Sequence, residues 1–357
     1  MSPRLHTPTT FDSHIPDLII AFAAAAVAFI SSILAAYAWT AYNPVSRPYL
    51  NRVSFRLLIY ALVANLANVA CQFVIVKSGP GAACNGILFL ANVSYMFSGV
   101  MFFCMALNLQ LVLVHGVNGQ NMEKYYILGA VVLPLACAIP PYAAGAFGYW
   151  AVNDTCWYNS PNPAVQLRWW VGTLGLWMFL MSAGEVASFV VIVGSMIIRH
   201  RVISAVSTGA STLSSITPLP LPQSPIVAYR SIILRIGLYP VVSCFFSFTG
   251  GFLDLWTITN TAETETNWRL GIVDLMVYTL RPIAYALLAA TDPSFLRALR
   301  ALRGSESEQG NLYARTWRSS APSSPGRPSM KSDTEIGRNS IKAEDGNETD
   351  ESFTCQI

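Results

Sequence analysis

Hydrophobic residues along this chain gather into seven unbroken stretches rather than into amphipathic stripes: Leu18–Tyr42, Val53–Val76, Asn85–His115, Tyr125–Phe147, Trp169–Ile198, Ile232–Trp256 and Trp268–Ala290. Each meets or exceeds the roughly 20 residues that a helix rising about 1.5 Å per residue needs to cross about 30 Å of hydrocarbon. Almost no charge interrupts them. The pattern predicts an all-α membrane protein, a seven-transmembrane helix bundle whose odd number of crossings puts the chain ends on opposite sides. Composition agrees, with 53% hydrophobic and 11% charged residues where a soluble domain averages about 25% charged.

The segments between the stretches set orientation and boundaries. Residues 1–17 lack a basic region abutting a short apolar core, so the first stretch reads as its own uncleaved insertion signal. With the N-terminus outside, the inner connections carry Arg47, Arg52, Lys124, Arg199, Arg201, Arg230, Arg297, Arg300 and Arg303. The outer ones carry only Arg4, Lys77, Arg168 and Arg269. An excess of Lys and Arg marks the cytoplasmic side, so the N-terminus is expected outside and the C-terminus inside. The connection His200–Tyr229 is rich in Ser, Thr and Pro and too polar to fold alone. Past the seventh stretch, Asp292-Pro293 ends the span. The next ten residues put Phe295, Leu296, Leu299 and Leu302 towards one face and Arg297, Arg300 and Arg303 towards another. That reads as a short amphipathic eighth helix along the inner leaflet. The expected organisation is an extracellular N-terminal segment (1–17), a helical domain with the interfacial helix (18–303), and a disordered cytoplasmic tail (304–357).

The cysteines divide into two groups. Cys71, Cys104, Cys137 and Cys244 lie inside spans, where they act as small hydrophobes, and no Cys-x-x-Cys spacing points to a metal. Cys84 and Cys156 fall at the same outer face, where a disulfide can form if that face is oxidising. Asn153-Asp-Thr155 offers a glycosylation acceptor in the same outer loop. Cys355 is third from the end of the chain, not fourth, so it makes no prenylation box.

Several seven-helix functions are tested by what is missing. A retinal protein needs a lysine in the seventh span, and the four lysines (Lys77, Lys124, Lys331, Lys342) all lie outside spans. An intramembrane zinc hydrolase needs clustered ligands, but His6, His14, His115 and His200 sit at ends and margins. An aspartyl protease needs two intramembrane aspartates on facing helices, commonly with a Gly-x-Gly-Asp element, and no such pair is expected. The net charge of +3 is too small to argue for nucleic acid. No enzyme activity and no cofactor are expected. A seven-helix transporter or channel is the alternative to a receptor, and the chain lacks the internal repeat common in transporters.

Local motifs favour the receptor. Cys84 at the start of the third span and Cys156-Trp157 in the second outer loop match the pattern of G protein-coupled receptors. The Cys-Trp pair is similar to the secretin-like and cAMP-receptor-like branches. The third span ends Ala106-Leu-Asn-Leu-Gln-Leu-Val-Leu-Val-His-Gly116, where a rhodopsin-like receptor shows Asp/Glu-Arg-Tyr. That departure, with Leu238-Tyr239-Pro240 in the sixth span, resembles the cAMP-receptor-like receptors of slime moulds and fungi. Arg281-Pro282-Ile-Ala-Tyr285 resembles the rhodopsin-like Asn-Pro-x-x-Tyr element with Arg in place of Asn. The resemblance covers about Leu18–Arg303. It implies a Cys84–Cys156 disulfide, an extracellular ligand, a heterotrimeric G protein Gα subunit as partner, and the plasma membrane as location.

Polar residues inside the spans supply the candidate machinery, because an ionisable group at mid-membrane costs about 2.5–3.5 kcal/mol on insertion scales and asks for a partner or a role. Glu185, Arg281 and Asp274 are such groups. Arg281 paired with Glu185 or Asp274 is expected either to lock helices together or, with Tyr239, Pro240, Pro282 and Tyr285, to act as an activation switch. Asp274 lies about a turn into the seventh span, and Arg281 lies about 10 Å deeper by helical rise. Asp274, Trp157 and the outer cations Lys77, Arg168 and Arg269 are the candidate ligand contacts, the cations coming first if the ligand is an anion. Arg52, His115, Arg201, Arg230 and Arg235 are the candidate G-protein contacts. Ser319, Ser320, Ser323, Ser324 and Ser329 in the tail are candidate phosphate acceptors for a kinase and an arrestin-like partner.

Overall fold

Hydrocarbon offers backbone groups no water, so an unbroken apolar run satisfies its hydrogen bonds within itself as a helix. The computed structural model follows that rule and describes residues 15–50, 52–77, 81–150, 155–210, 225–260, 265–292 and 294–303. Its elements are α1 (Ile15–Tyr42), the single turn α2 (Arg47–Leu50), α3 (Val53–Lys77), α4 (Ala82–His115) and α5 (Gly119–Ala143). A hairpin of β1 (Phe147–Trp150) and β2 (Thr155–Tyr158) follows. Then α6 (Pro163–Trp170) runs through a π-helical turn, Val171–Gly175, into α7 (Leu176–Ala210), and α8 (Pro225–Thr259) and α9 (Glu265–Ala290) complete the set. Seven helices are long and apolar enough to cross a membrane, with α6 and α7 sharing one span. By that length and composition the chain is a multi-pass membrane protein.

The helix α4 sits at the centre, against α3, α5, α7 and α8, while α1 closes the ring between α3 and α9. Small residues let the backbones approach: Ala26, Ala61, Ala130, Ala286 and Ala289 are wholly buried. Two glycines mark the closest crossings. A Cβ built on Gly184 of α7 falls 2.5 Å from the Phe103 ring of α4, and one on Gly251 of α8 falls 2.5 Å from the Phe179 ring of α7. Large apolar side chains such as Leu128, Val241, Phe245 and Phe252 point outward, as lipid-facing positions do.

Three expectations need correction. The fourth stretch was expected to run from Tyr125 to Phe147, but the helix ends at Ala143. Gly145 adopts φ 67°, open to glycine at low cost, and Ala146 N–H donates to the Pro141 carbonyl, turning the chain into β1. The bundle is therefore not purely helical, because Phe147 pairs with Tyr158 and Tyr149 with Cys156 in an antiparallel hairpin. The connection expected over His200–Tyr229 is shorter at both ends. With no proline before Pro218, helix α7 continues to Ala210, and α8 opens on Pro225, whose fixed φ suits a first helical residue.

The segment after α9 is helical at residues 294–303. Asp292 caps it, its Oδ1 accepting from Ser294 N–H at 2.8 Å. Phe295, Ala298 and Leu302 are buried, and Arg297 and Arg300 are exposed. Phe295 stacks edge-on against Tyr37, whose hydroxyl donates to the Ala289 carbonyl at 2.6 Å. Residues Met1–Leu302 form one unit and Arg303–Ile357 a second; the expected N-terminal segment up to 14 and the tail beyond 303 lie outside the described residues.

Candidate functional site

Cys84 in the first turn of α4 is joined to Cys156 in β2 by a disulfide. The bond draws the hairpin onto the bundle, and Tyr158 fastens it further. Thr173 donates its only hydroxyl proton to the Trp169 carbonyl, so Tyr158 must be the donor in its 2.8 Å hydrogen bond to Thr173. The Tyr158 carbonyl accepts from Gln166 Nε2 at 2.7 Å. Burial raises the Tyr158 phenol above its ordinary range and keeps it a donor.

Under the hairpin lies a cavity of about 40 Å³, with Gln72 of α3, Thr155 and Trp157 of β2, Asp254 of α8, and Asp274 and Tyr278 of α9 among its walls. Asp254 is 2% exposed and accepts from Tyr278 Oη at 2.7 Å and from Trp170 Nε1 at 3.2 Å. A π-helical turn, Val171–Gly175, begins directly after Trp170. It shifts the helix register, as such turns do at functional sites, and a Cβ on Gly175 would fall 2.8 Å from the Trp170 ring. The carboxyl of Asp274, one turn before Tyr278, faces that of Asp254, and its Oδ1 is buried with no hydrogen-bond partner. Thr155 Oγ1 is likewise buried and unpartnered.

A second cluster lies deeper. Arg281 is 5% exposed, with its guanidinium carbon 4.2 Å from the centroid of the Tyr95 ring and 5.5 Å from that of Tyr285. Glu185 of α7 is 1% exposed. Ser243 of α8 lies within hydrogen-bonding range of its carboxyl and Arg281 is its charged neighbour, yet it forms no ion pair at contact distance. Aromatic contacts join the two clusters. Trp157 meets Tyr278 at 6.0 Å between centroids, and Tyr278 meets Tyr95 at 5.4 Å. Beyond Arg281, Tyr285 stacks on Phe102 at 4.0 Å, and Phe102 meets Tyr239 at 6.0 Å, beside the buried Pro240 of α8.

No family model matches this chain, and no curated protein matches it. Its chemistry has to be read from its own residues.

Of the expected ligand contacts, Trp157 and Asp274 line the cavity. Arg168 and Arg269 are exposed and are not among the lining residues, and the Lys77 side chain lies outside the described residues. The expected switch residues Glu185, Arg281, Tyr285 and Tyr239 do converge, with Pro240 and Pro282 buried beside them. Arg281 answers to Glu185 rather than to Asp274, which turns to Asp254 instead. Asn153 lies outside the described residues.

At the opposite face, Arg52, His115 and Arg201 are exposed. Partial desolvation and the charge of Arg297 lower the pKa of Arg52, and Asp292 works against them, so these groups are neighbours. Arg230 and Arg235 belong to α8, with side chains outside the described residues. Arg56 of α3 forms a 2.5 Å ion pair with Glu123 of α5. Gly116 ends α4 with φ 66° and Asn118 caps α5, so this turn is tightly defined. Sequence reasoning passed over Asp254 and Glu123. Asp254 interrupts an apolar run near its end, at Leu253-Asp-Leu255, and a lone intramembrane acid there was the available signal.

Proposed function

We propose that the chain is a G protein-coupled receptor similar to the cAMP-receptor-like family, with the hairpin face outside and the plasma membrane as its location. The observation that carries the reading is the hairpin tied by Cys84–Cys156, which sets Trp157 against Tyr278 over a cavity with buried carboxyls. A receptor needs a shaped external site coupled to an element with two arrangements. The aromatic contacts from Trp157 through Tyr95 and Arg281 to Tyr239 and Pro240 offer such a coupling. Proline inside α8 removes a helical hydrogen bond, which suits that helix to bending.

On this reading an external ligand favours one packing of Glu185 and Arg281, and α8 moves with it. The inner face, with Arg52, His115, Arg201, Arg230 and Arg235, then engages a Gα subunit and promotes nucleotide exchange. Residues 294–303 act as the amphipathic eighth helix at the inner leaflet, a reading supported by their buried Phe295 and exposed Arg297 and Arg300. The test is nucleotide exchange on purified heterotrimeric G proteins by the chain in nanodiscs, beside an Arg281→Ala variant of equal abundance. Basal exchange that differs between the two supports the reading. Absence of exchange with every Gα class, together with solute uptake or current in liposomes, would assign a transporter or channel instead.

A further inference from the structure

Among the described residues, the walls of the cavity beneath the hairpin carry two carboxyl groups and no positive group to answer them. Asp254 already accepts two hydrogen bonds on Oδ2, from Trp170 and Tyr278. Asp274 faces it with the two carboxyls within hydrogen-bonding range, while Asp274 Oδ1 is buried without a partner. Thr155, in the hairpin above, is 9% exposed, and its hydroxyl is also unpartnered. No Lys or Arg is among the lining residues. Arg281 is seven residues further along α9, about 10 Å by helical rise, and is engaged there by Tyr95, Tyr285 and Glu185. Buried carboxylates without a counter-charge are costly in a low-dielectric setting, and buried polar groups rarely stay unpaired.

The walls narrow the choice of occupant. An anion would meet two carboxyls, so the outer cations that pointed towards an anionic ligand do not define this cavity. Among the described residues no group of three or more His, Cys, Asp or Glu gathers to hold a metal ion. The rings of Trp157 and Tyr278 line the space instead, and aromatic faces attract organic cations. A volume of about 40 Å³ suits a compact headgroup. An ammonium has three donors, and two unpartnered acceptors, Asp274 Oδ1 and Thr155 Oγ1, stand beside the Asp254 carboxyl.

We propose that this cavity binds the primary ammonium group of a small amine, with Asp254 and Asp274 as counter-charges, Thr155 as an acceptor, and Trp157 and Tyr278 as its aromatic walls. The proposal deepens the receptor reading by naming the ligand class, and as a receptor ligand the amine rests on that reading. Its binding does not.

The experiment follows thermal unfolding of the purified full-length chain in nanodiscs with methylammonium, sodium or uncharged ethanol as probe, at matched ionic strength and at mildly acidic and neutral pH. Methylammonium is expected to raise the unfolding midpoint by several degrees where sodium and ethanol do not. The shift should vanish in Asp254→Asn and Asp274→Asn and shrink in Thr155→Val, which keeps both carboxyls and their hydrogen bonds. Equal stabilisation by sodium would overturn the amine assignment in favour of a simple ion site. Stabilisation by acid alone would overturn it in favour of a proton shared by the two carboxyls. No shift with any probe would also overturn it. Gα nucleotide exchange measured in the same nanodiscs separates the two claims. A methylammonium shift without exchange upholds the site and rejects the receptor reading, and exchange without a shift does the reverse.

Discussion

Removing the positive charge of Arg281 while leaving Glu185 in place is the perturbation whose size the structure constrains best. The two groups are 5% and 1% exposed and approach from α9 and α7. Arg281 Nη1 makes no hydrogen bond, and each group is the other's nearest opposite charge among the groups acting on it. Truncating one partner of a buried contact pair costs about 3–5 kcal/mol, an upper limit here because Glu185 and Arg281 make no contact ion pair, whereas replacing both by groups of similar volume is often neutral. At roughly 2–4 °C per kcal/mol for a chain of this order of size, Arg281→Met alone should lower the unfolding midpoint by at most roughly 20 °C. Glu185→Gln alone should lower it by less, because it leaves a cation that still rests on the rings of Tyr95 and Tyr285. The double variant should recover to within a few degrees of the parent. Three buried free thiols, Cys71, Cys104 and Cys137, supply the assay, since a thiol-reactive dye reaches them only on unfolding. Losses that simply add in the double variant would refute the pairing, because independent sites add and coupled ones do not.

Four further outcomes follow from single contacts. Gly175→Ala puts a methyl 2.8 Å from the Trp170 ring, so it should displace Trp170 from Asp254 and change its indole fluorescence, whereas Trp170→Phe should remove that emission altogether. Gly184→Ala and Gly251→Ala should each cost about 1–3 kcal/mol by overpacking against Phe103 and Phe179, while Gly99→Ala, whose new methyl meets nothing closer than 3.6 Å, should leave the midpoint unchanged. Arg56→Gln should cost only about 0.2–1 kcal/mol, and less at high salt, because the Arg56 side chain is 36% exposed in its pair with Glu123. Replacing Cys84 and Cys156 by Ser opens a loop of sequence separation 72, and chain entropy sets the upper limit of the loss at about 4 kcal/mol; proteolysis within the hairpin at the native temperature should accelerate.

The helices were legible because length and apolarity alone decide what crosses hydrocarbon. The hairpin was not, because Ala146-Phe147-Gly148-Tyr149 is as apolar as the helix before it, and only the Pro140-Pro141 pair and Gly145 mark the change. The inner ends of α7 and α8 were read as loop from composition. Helical hydrogen bonds continue there because no proline intervenes between 201 and 210. Glu185 and Arg281 stood out as isolated charges, and their convergence followed from needing one another. Asp274 was visible too, but its partner was misjudged. Helical spacing relates residues on one helix, and Asp254 reaches Asp274 from another helix, a relation that periodicity does not encode.

The position of Tyr95 gives the two clusters a physical link. It lies under the Arg281 guanidinium and within electrostatic range of both Asp254 and Asp274. Arg281 has Glu185 as its acidic neighbour, and the two carboxyls, about 10 Å away by helical rise, act on it only at longer range. A unit charge about 10 Å away, at an effective dielectric constant of about 20, contributes roughly 1.7 kcal/mol. A cation entering the outer cavity cancels about that much of the outward pull, more than a tenfold change in a two-state equilibrium. Arg281 would then favour Glu185 and α7, and Tyr285, Phe102 and Tyr239 would follow through their ring contacts to the proline of α8. Coupling of this kind is reciprocal. If the proposed amine site and switch are coupled in this way, a substitution that frees Arg281 from Glu185 should weaken methylammonium binding by the same factor that methylammonium shifts the switch.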